Sequence, residues 1–217
     1  MSDALTRAGE LAIEAAERFW DLDVYDPPRN DQSAAGIANK AVISTIIRTA
    51  GWGFALPYVG NGQPQWCGLF AATCWIAGGL DPRWTATYWA STYRLGLWAT
   101  YQKFNAKHPN PPPRSARDRR LCMRLVPGSV MSWQPRAGDV VIVGDGEPTA
   151  GDHITLCVAY DATSRTFETL SGNGGGVGPR GNSREGVSRK TYSIDSGRYR
   201  AMVVIRPAFG DLLAEKP

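Results

Sequence analysis

Histidine is nearly missing from this chain, with two residues, His108 and His153, in 217. The four cysteines, Cys67, Cys74, Cys122 and Cys157, include no CxxC pair. A zinc centre would have to gather widely scattered ligands, and no redox dithiol motif can be read. No run approaches the ~20 apolar residues of a membrane span. The opening MSDALTRAGELAIEAAERFW lacks a basic segment followed by an apolar core, so no signal peptide is read. Without one, a disulfide framework is not expected. Internal repeats are missing too, as is any linker able to split the chain.

What is present describes a globular chain of one domain, 1–217, 43% hydrophobic and 20% charged, with eight tryptophans. The net charge of +4 and the pI of about 9.0 favour anionic partners, with nucleic acid, lipid and cell-wall polymer all open on charge alone. Positive charge concentrates in RSARDRRLCMR (114–124) and RGNSREGVSRK (180–190). Both read as solvated loops. Neither carries the interleaved aromatics that base stacking requires, so nucleic acid is not expected as a partner.

The first part of the chain, 1–54, is helical in pattern. Leu5, Ala8, Ala12, Ala15 and Phe19 recur at helical spacing. After the Pro- and Asp-rich DLDVYDPPRND (21–31), a second helix is expected from about Ser33, with Ile43, Ile46, Ile47 and Ala50 on one stripe and Gly51 as its stop. A third begins at Cys67 and runs to Gly78 and Gly79, and a fourth is expected over about 87–105. NAKHPNPPPRSARDRR (105–120) then breaks all periodicity and reads as a surface loop or lid. Beyond it come strand-like runs at 138–144, 153–161, 166–171, 187–194 and 199–207. Helices first and strands later predict an α+β fold, N-terminal helices packed on a C-terminal antiparallel sheet.

Cysteine chemistry needs the thiolate, and a helix N-terminus or a neighbouring imidazolium lowers the thiol pKa. Cys67 meets the first condition, because GNGQPQW cannot be helical and CGLFAATCWIAG can. Gly68 beside it leaves room for a substrate backbone, and Trp66 offers a binding surface. Cys74 and Cys157 read as core, and Cys122 is undetermined. A thiol nucleophile also needs a base and a group that orients that base. His108 stands among prolines and reads as an exposed loop residue. His153 opens an apolar strand directly after the turn TAGD, at a sheet edge. For the orienting group, TFETLSGNGGG offers Glu168, Ser171 and Asn173. Strand alternation sets Ser171 and Asn173 on one face and Glu168 on the other. A hairpin through DATSRT returns residues 171–173 beside His153, which favours Asn173, with Ser171 as helper.

QWCGLFAATCWIAGGL resembles the nucleophile helix of the CHAP family of cell-wall amidases and peptidases. PRAGDVVIV, DHITLCVAYD and FETLSGN are similar to that family's later block, and GVSRKTYSI and VVIRP to its final strands. PYVGNGQPQWCGL is similar to the related NlpC/P60 peptidases, in which a Tyr upstream of the Cys helps bind the oxyanion; Tyr58 matches it in context. The likeness covers roughly 55–207. It implies a papain-like fold, with Cys67 as nucleophile, His153 as general base and Asn173 as orienting residue. The CHAP pattern usually has Glu two residues before that Asn, where this chain has Ser171.

The expected function is therefore a cysteine-dependent peptidoglycan hydrolase, cutting the muramoyl–alanine amide or a peptide-stem bond, with no cofactor and no metal. Peptidoglycan is the expected partner. Action on the cell wall, without an export signal, would need delivery by a phage lysis system, a virion or a toxin apparatus. Trp66, Trp75, Trp84 and Trp89 are candidate sugar-stacking walls. The alternatives are a non-catalytic wall-binding or phage structural module of the same fold, and a papain-like hydrolase of another substrate.

Overall fold

The computed structural model describes residues 2–60, 64–115, 118–145, 152–181 and 183–213. Helix α1 spans Ser2–Asp21, α2 Ala34–Thr49, α3 Cys67–Ala77 and α4 Thr92–Ala99. Among the described residues six strands follow: β1 (Leu121–Arg124), β2 (Val140–Gly144), β3 (His153–Asp161), β4 (Thr166–Val177), β5 (Ser183–Ser193) and β6 (Arg200–Arg206). They form one sheet in the order β1-β6-β2-β3-β4-β5, with every neighbouring pair antiparallel. The chain is α+β.

Helix α3 is apolar all round, and Cys67 through Trp75 are buried without exception, as a central helix requires. Ala8, Ala12 and Ala16, one helical turn apart, let α1 close onto it, and a Cβ at Gly78 would overlap the Ala8 carbonyl. Ser33 caps α2, its hydroxyl accepting the Gly36 N–H at 3.0 Å, and Gly51 ends it at φ +85°. Strand alternation divides the sheet's side chains between two cores. Val140, Ile142, Ile154, Leu156 and Leu170 face the helices, whereas Val141, Val143, Cys157, Phe167 and Val204 pack on the opposite face. The loop after α1 covers the outer edge of β5, where Val187 N–H donates to Val24 O at 2.8 Å. No helix among the described residues is long and apolar enough to cross a membrane.

Three expectations need correction. The helix expected over 87–105 is divided into a π-helical turn, Thr85–Trp89, and the short α4, restarted by the Ser91 hydroxyl at 3.3 Å from Arg94 N. It ends because its last carbonyls are taken from outside: Asn110 Nδ2 donates to Leu97 O at 3.0 Å and to Trp98 O at 3.1 Å, and Arg120 also donates to Trp98 O. The basic run 114–124 is accordingly not all solvated. The Arg120 side chain is 2% exposed and paired with Asp211 at 2.7 Å, and its last residues form β1. Nor is 180–190 a loop, since it lies largely in β5, where Arg189 bridges Glu17 at 2.6 Å and also pairs with Glu168.

Candidate active site

Cys67 is the first residue of α3, and no side chain caps that helix end. Its sulfur meets the backbone N–H groups of Ile154, Gly68 and Cys67 itself. The Ile154 N–H belongs to the peptide that joins it to His153, so the thiol stands against the start of β3. A helix end favours the thiolate, but burial acts the other way and is stronger. Cys67 is 8% exposed, and desolvation pushes its pKa up against the three N–H groups that lower it. Cys74 and Cys157 are buried and pushed up as well, while Cys122 is exposed on edge strand β1.

His153 is the first residue of β3, and the turn TAGD that precedes it falls largely outside the described residues. The residue is half-buried, but its Nε2 is sealed and has no hydrogen-bond partner. Burial, then the charge of Lys190, push its pKa down to about 4. At neutral pH the pair is thus a neutral thiol and a neutral imidazole. No hydrogen bond joins them directly; what they share is the His153–Ile154 peptide.

The imidazole reaches towards an irregular stretch of β4. Continuing the β3–β4 register past Leu156↔Leu170 sets His153 opposite Asn173. The β4–β5 register slips between Ser171 and Gly174, and Asn173 takes φ +54°, a conformation Asn tolerates better than most residues. Asn173 is buried, and its Oδ1 has no hydrogen-bond partner. A sealed nitrogen and a sealed amide oxygen therefore stand unmatched on neighbouring strands. Gly174 packs beside them, and a Cβ there would lie 3.3 Å from His153 Nε2, 2.6 Å from Ser171 Oγ and 2.8 Å from Ser188 Oγ. Ser188 was not foreseen from the sequence. It faces Ser171 across the ladder, a pairing that depends on where the bulge falls.

Other expected residues are placed elsewhere. Glu168 belongs to the ion-pair group of Arg189 and Glu17, on the side of α1, and gives His153 no support. Trp66 is fully buried against Gly172 and Phe70, so it offers no face to a ligand. The space over Gly68 is filled by the Trp89 carbonyl, and its glycine identity answers to packing rather than to substrate. Trp75 and Trp89 are core as well, leaving Trp84 as the one partly exposed residue of the four suggested stacking walls. Tyr58 ends a 3-10 helix, Gly53–Tyr58, exposed, with Arg29 over its ring at 5.9 Å. His108 is not free in solvent: it is half-buried beside Phe104, and its carbonyl accepts the Tyr88 hydroxyl at 2.7 Å. Among the described residues no cluster of three or more His, Cys, Asp or Glu side chains is gathered for a metal. No family model, curated protein or solved structure matches the chain.

Proposed function

We propose that the protein is a cysteine-dependent hydrolase of peptidoglycan amide bonds, with a papain-like arrangement of Cys67, His153 and Asn173. The observation that carries this reading is the meeting of the Cys67 thiol, at an uncapped helix N-terminus, with the backbone N–H that follows His153. The unmatched Nε2 and Oδ1 of His153 and Asn173 support the third role, because an imidazole N–H and an amide oxygen are complementary. The choice of peptidoglycan rests on the CHAP resemblance and on the basic charge, which suits an anionic wall.

In this reading the neutral imidazole takes the thiol proton as sulfur attacks the amide carbonyl, and the pair ionises only on the reaction path. The charge on the carbonyl oxygen falls to the helix-terminal N–H of Cys67, with Tyr58 as a candidate second donor. The C–N bond then breaks as His153 returns its proton to the leaving amine. Water, deprotonated by His153, attacks the thioester and releases the carboxylic acid and the thiol.

The test is purified sacculi incubated with wild-type protein and with Cys67→Ala, following turbidity and newly exposed amines. The expected result is clearing by the wild type and a loss on the order of 10⁴-fold or more in the variant. Clearing by both proteins, or by neither, contradicts the proposal.

A further inference from the structure

The π-helical turn Thr85–Trp89 has two functional-looking ends. At one end the Trp89 carbonyl packs on Gly68, next to the candidate nucleophile. Its other end walls a depression of about 330 Å³ together with the proline-rich loop after α4. Trp84 and Tyr88 form one wall of it, with rings 6.4 Å apart, and Pro109 and Pro111 form another. The Tyr88 hydroxyl bond to His108 O ties the two walls together. Tyr88, itself buried, props the floor that Trp84 and the two prolines present, a preformed apolar surface with little ordering left to cost affinity.

The charged residues that line that floor are of one sign. Arg83 and Lys107 line it, and no carboxylate is among the described residues that do. Arg83 is already engaged, bonded to Asp81 at 2.6 Å. No described carboxylate pairs with the Lys107 ammonium, and its residue is exposed. Nε1 of Trp84 is sealed from solvent and has no acceptor among the described residues.

We infer that this depression is a subsite for a carboxylate-bearing saccharide–peptide, with the carboxylate at Lys107 and the sugar or apolar face laid on Trp84 and the flanking prolines. The inference rests on the peptidoglycan reading for its choice of ligand and deepens it. The same short turn that covers the nucleophile helix would hold a second part of the polymer, so that a strand engaged here is presented to Cys67.

The experiment uses ¹⁵N-labelled Cys67→Ala protein, which binds without cutting, and follows its indole N–H signals. The Trp84 signal is identified by its loss in Trp84→Phe. The probes are N-acetylmuramoyl-L-alanyl-D-isoglutamine and the same molecule with its free carboxyl converted to an amide. The expected result is a saturable shift of the Trp84 signal, with the carboxylate form bound about threefold to fivefold more tightly, the range of a solvent-exposed ion pair. Lys107→Gln should abolish that preference, and 0.5 M salt should reduce it. Absence of a Trp84 shift, or equal binding of the two probes, overturns the subsite. The two readings fail separately. Thiol-dependent clearing of sacculi without a Trp84 shift removes the subsite alone, and a carboxylate-selective shift without any clearing removes the hydrolase alone.

Discussion

On the sulfur of Cys67, desolvation raises the pKa and three backbone N–H groups lower it, and desolvation prevails. His153 shows the mirror effect, since burial removes the charged form of a base. Three tests follow from these directions. Alkylation of Cys67 by iodoacetamide, read by peptide mapping, should be slow at pH 7 and accelerate only above pH 9, the ordinary thiol value from which Cys67 is raised. The second concerns stability. Between pH 6.5 and about 4 the unfolded chain carries a proton on His153 that the folded chain refuses, so stability falls as pH falls through this window and is level on either side. Relative to His153→Gln, the wild type should lose roughly 3 kcal/mol across it, measured by urea unfolding. An equal loss in both proteins would contradict a buried, neutral imidazole. The acid limb of hydrolysis should likewise lie near pH 4 rather than 6.5.

At the scale of elements, the places of Cys67 and His153 at the start of a helix and of a strand were legible, because each begins a segment whose type its neighbours announce. CGLFAATCWIAG can only be a buried helix, and HITLCVAYD alternates. What was not legible was contact between segments. Nothing local to Gly68 says that Trp89 will lie on it, and Trp66 looks like a ligand platform until Gly172 closes over it. Ser188 was hidden for a related reason, because a one-residue bulge resets every pairing beyond it. These contacts give a discriminating pair of variants. Gly68→Ala forces a Cβ into the Trp89 carbonyl and should cost about 3 kcal/mol of stability, the upper part of the usual range for overpacking. Gly174→Ala presses instead on the Ser171 and Ser188 hydroxyls and on His153 Nε2. It should lower turnover more than stability, and removing both hydroxyls in the same chain should recover part of the loss. Thermal unfolding beside sacculus clearing separates the two outcomes.

Across the whole molecule, the α+β order of elements was readable, because periodicity changes once, after the proline-rich loop. How the chain's end is fastened was not. Arg120, read as one more solvated cation, lies over Trp98 at 3.9 Å and is bonded through Nε and Nη2 to Asp211, near the end of the described chain. Asn110 and Trp98 O complete its bonds, so the proline-rich loop, α4 and the segment after β6 converge on one guanidinium. A positive run conceals such a role because its members look alike until one of them finds a carboxylate far away in sequence. Asp211→Ala leaves that cation buried and unpaired and should cost about 3–5 kcal/mol in urea unfolding. Replacing both partners with apolar residues should cost much less; an equal cost would show that shape rather than charge fastens the end.

If Cys67 is the nucleophile, its sulfur itself becomes acylated during turnover. Mixing the protein with solubilised peptidoglycan fragments, quenching in acid within a turnover and mapping the digest by mass spectrometry tests it most directly. The expected result is an acid-stable, hydroxylamine-labile acyl group on the peptide that contains Cys67, missing in His153→Ala. Cleavage of the fragments with the acyl group on another residue, or undiminished cleavage by Cys67→Ala, would contradict it.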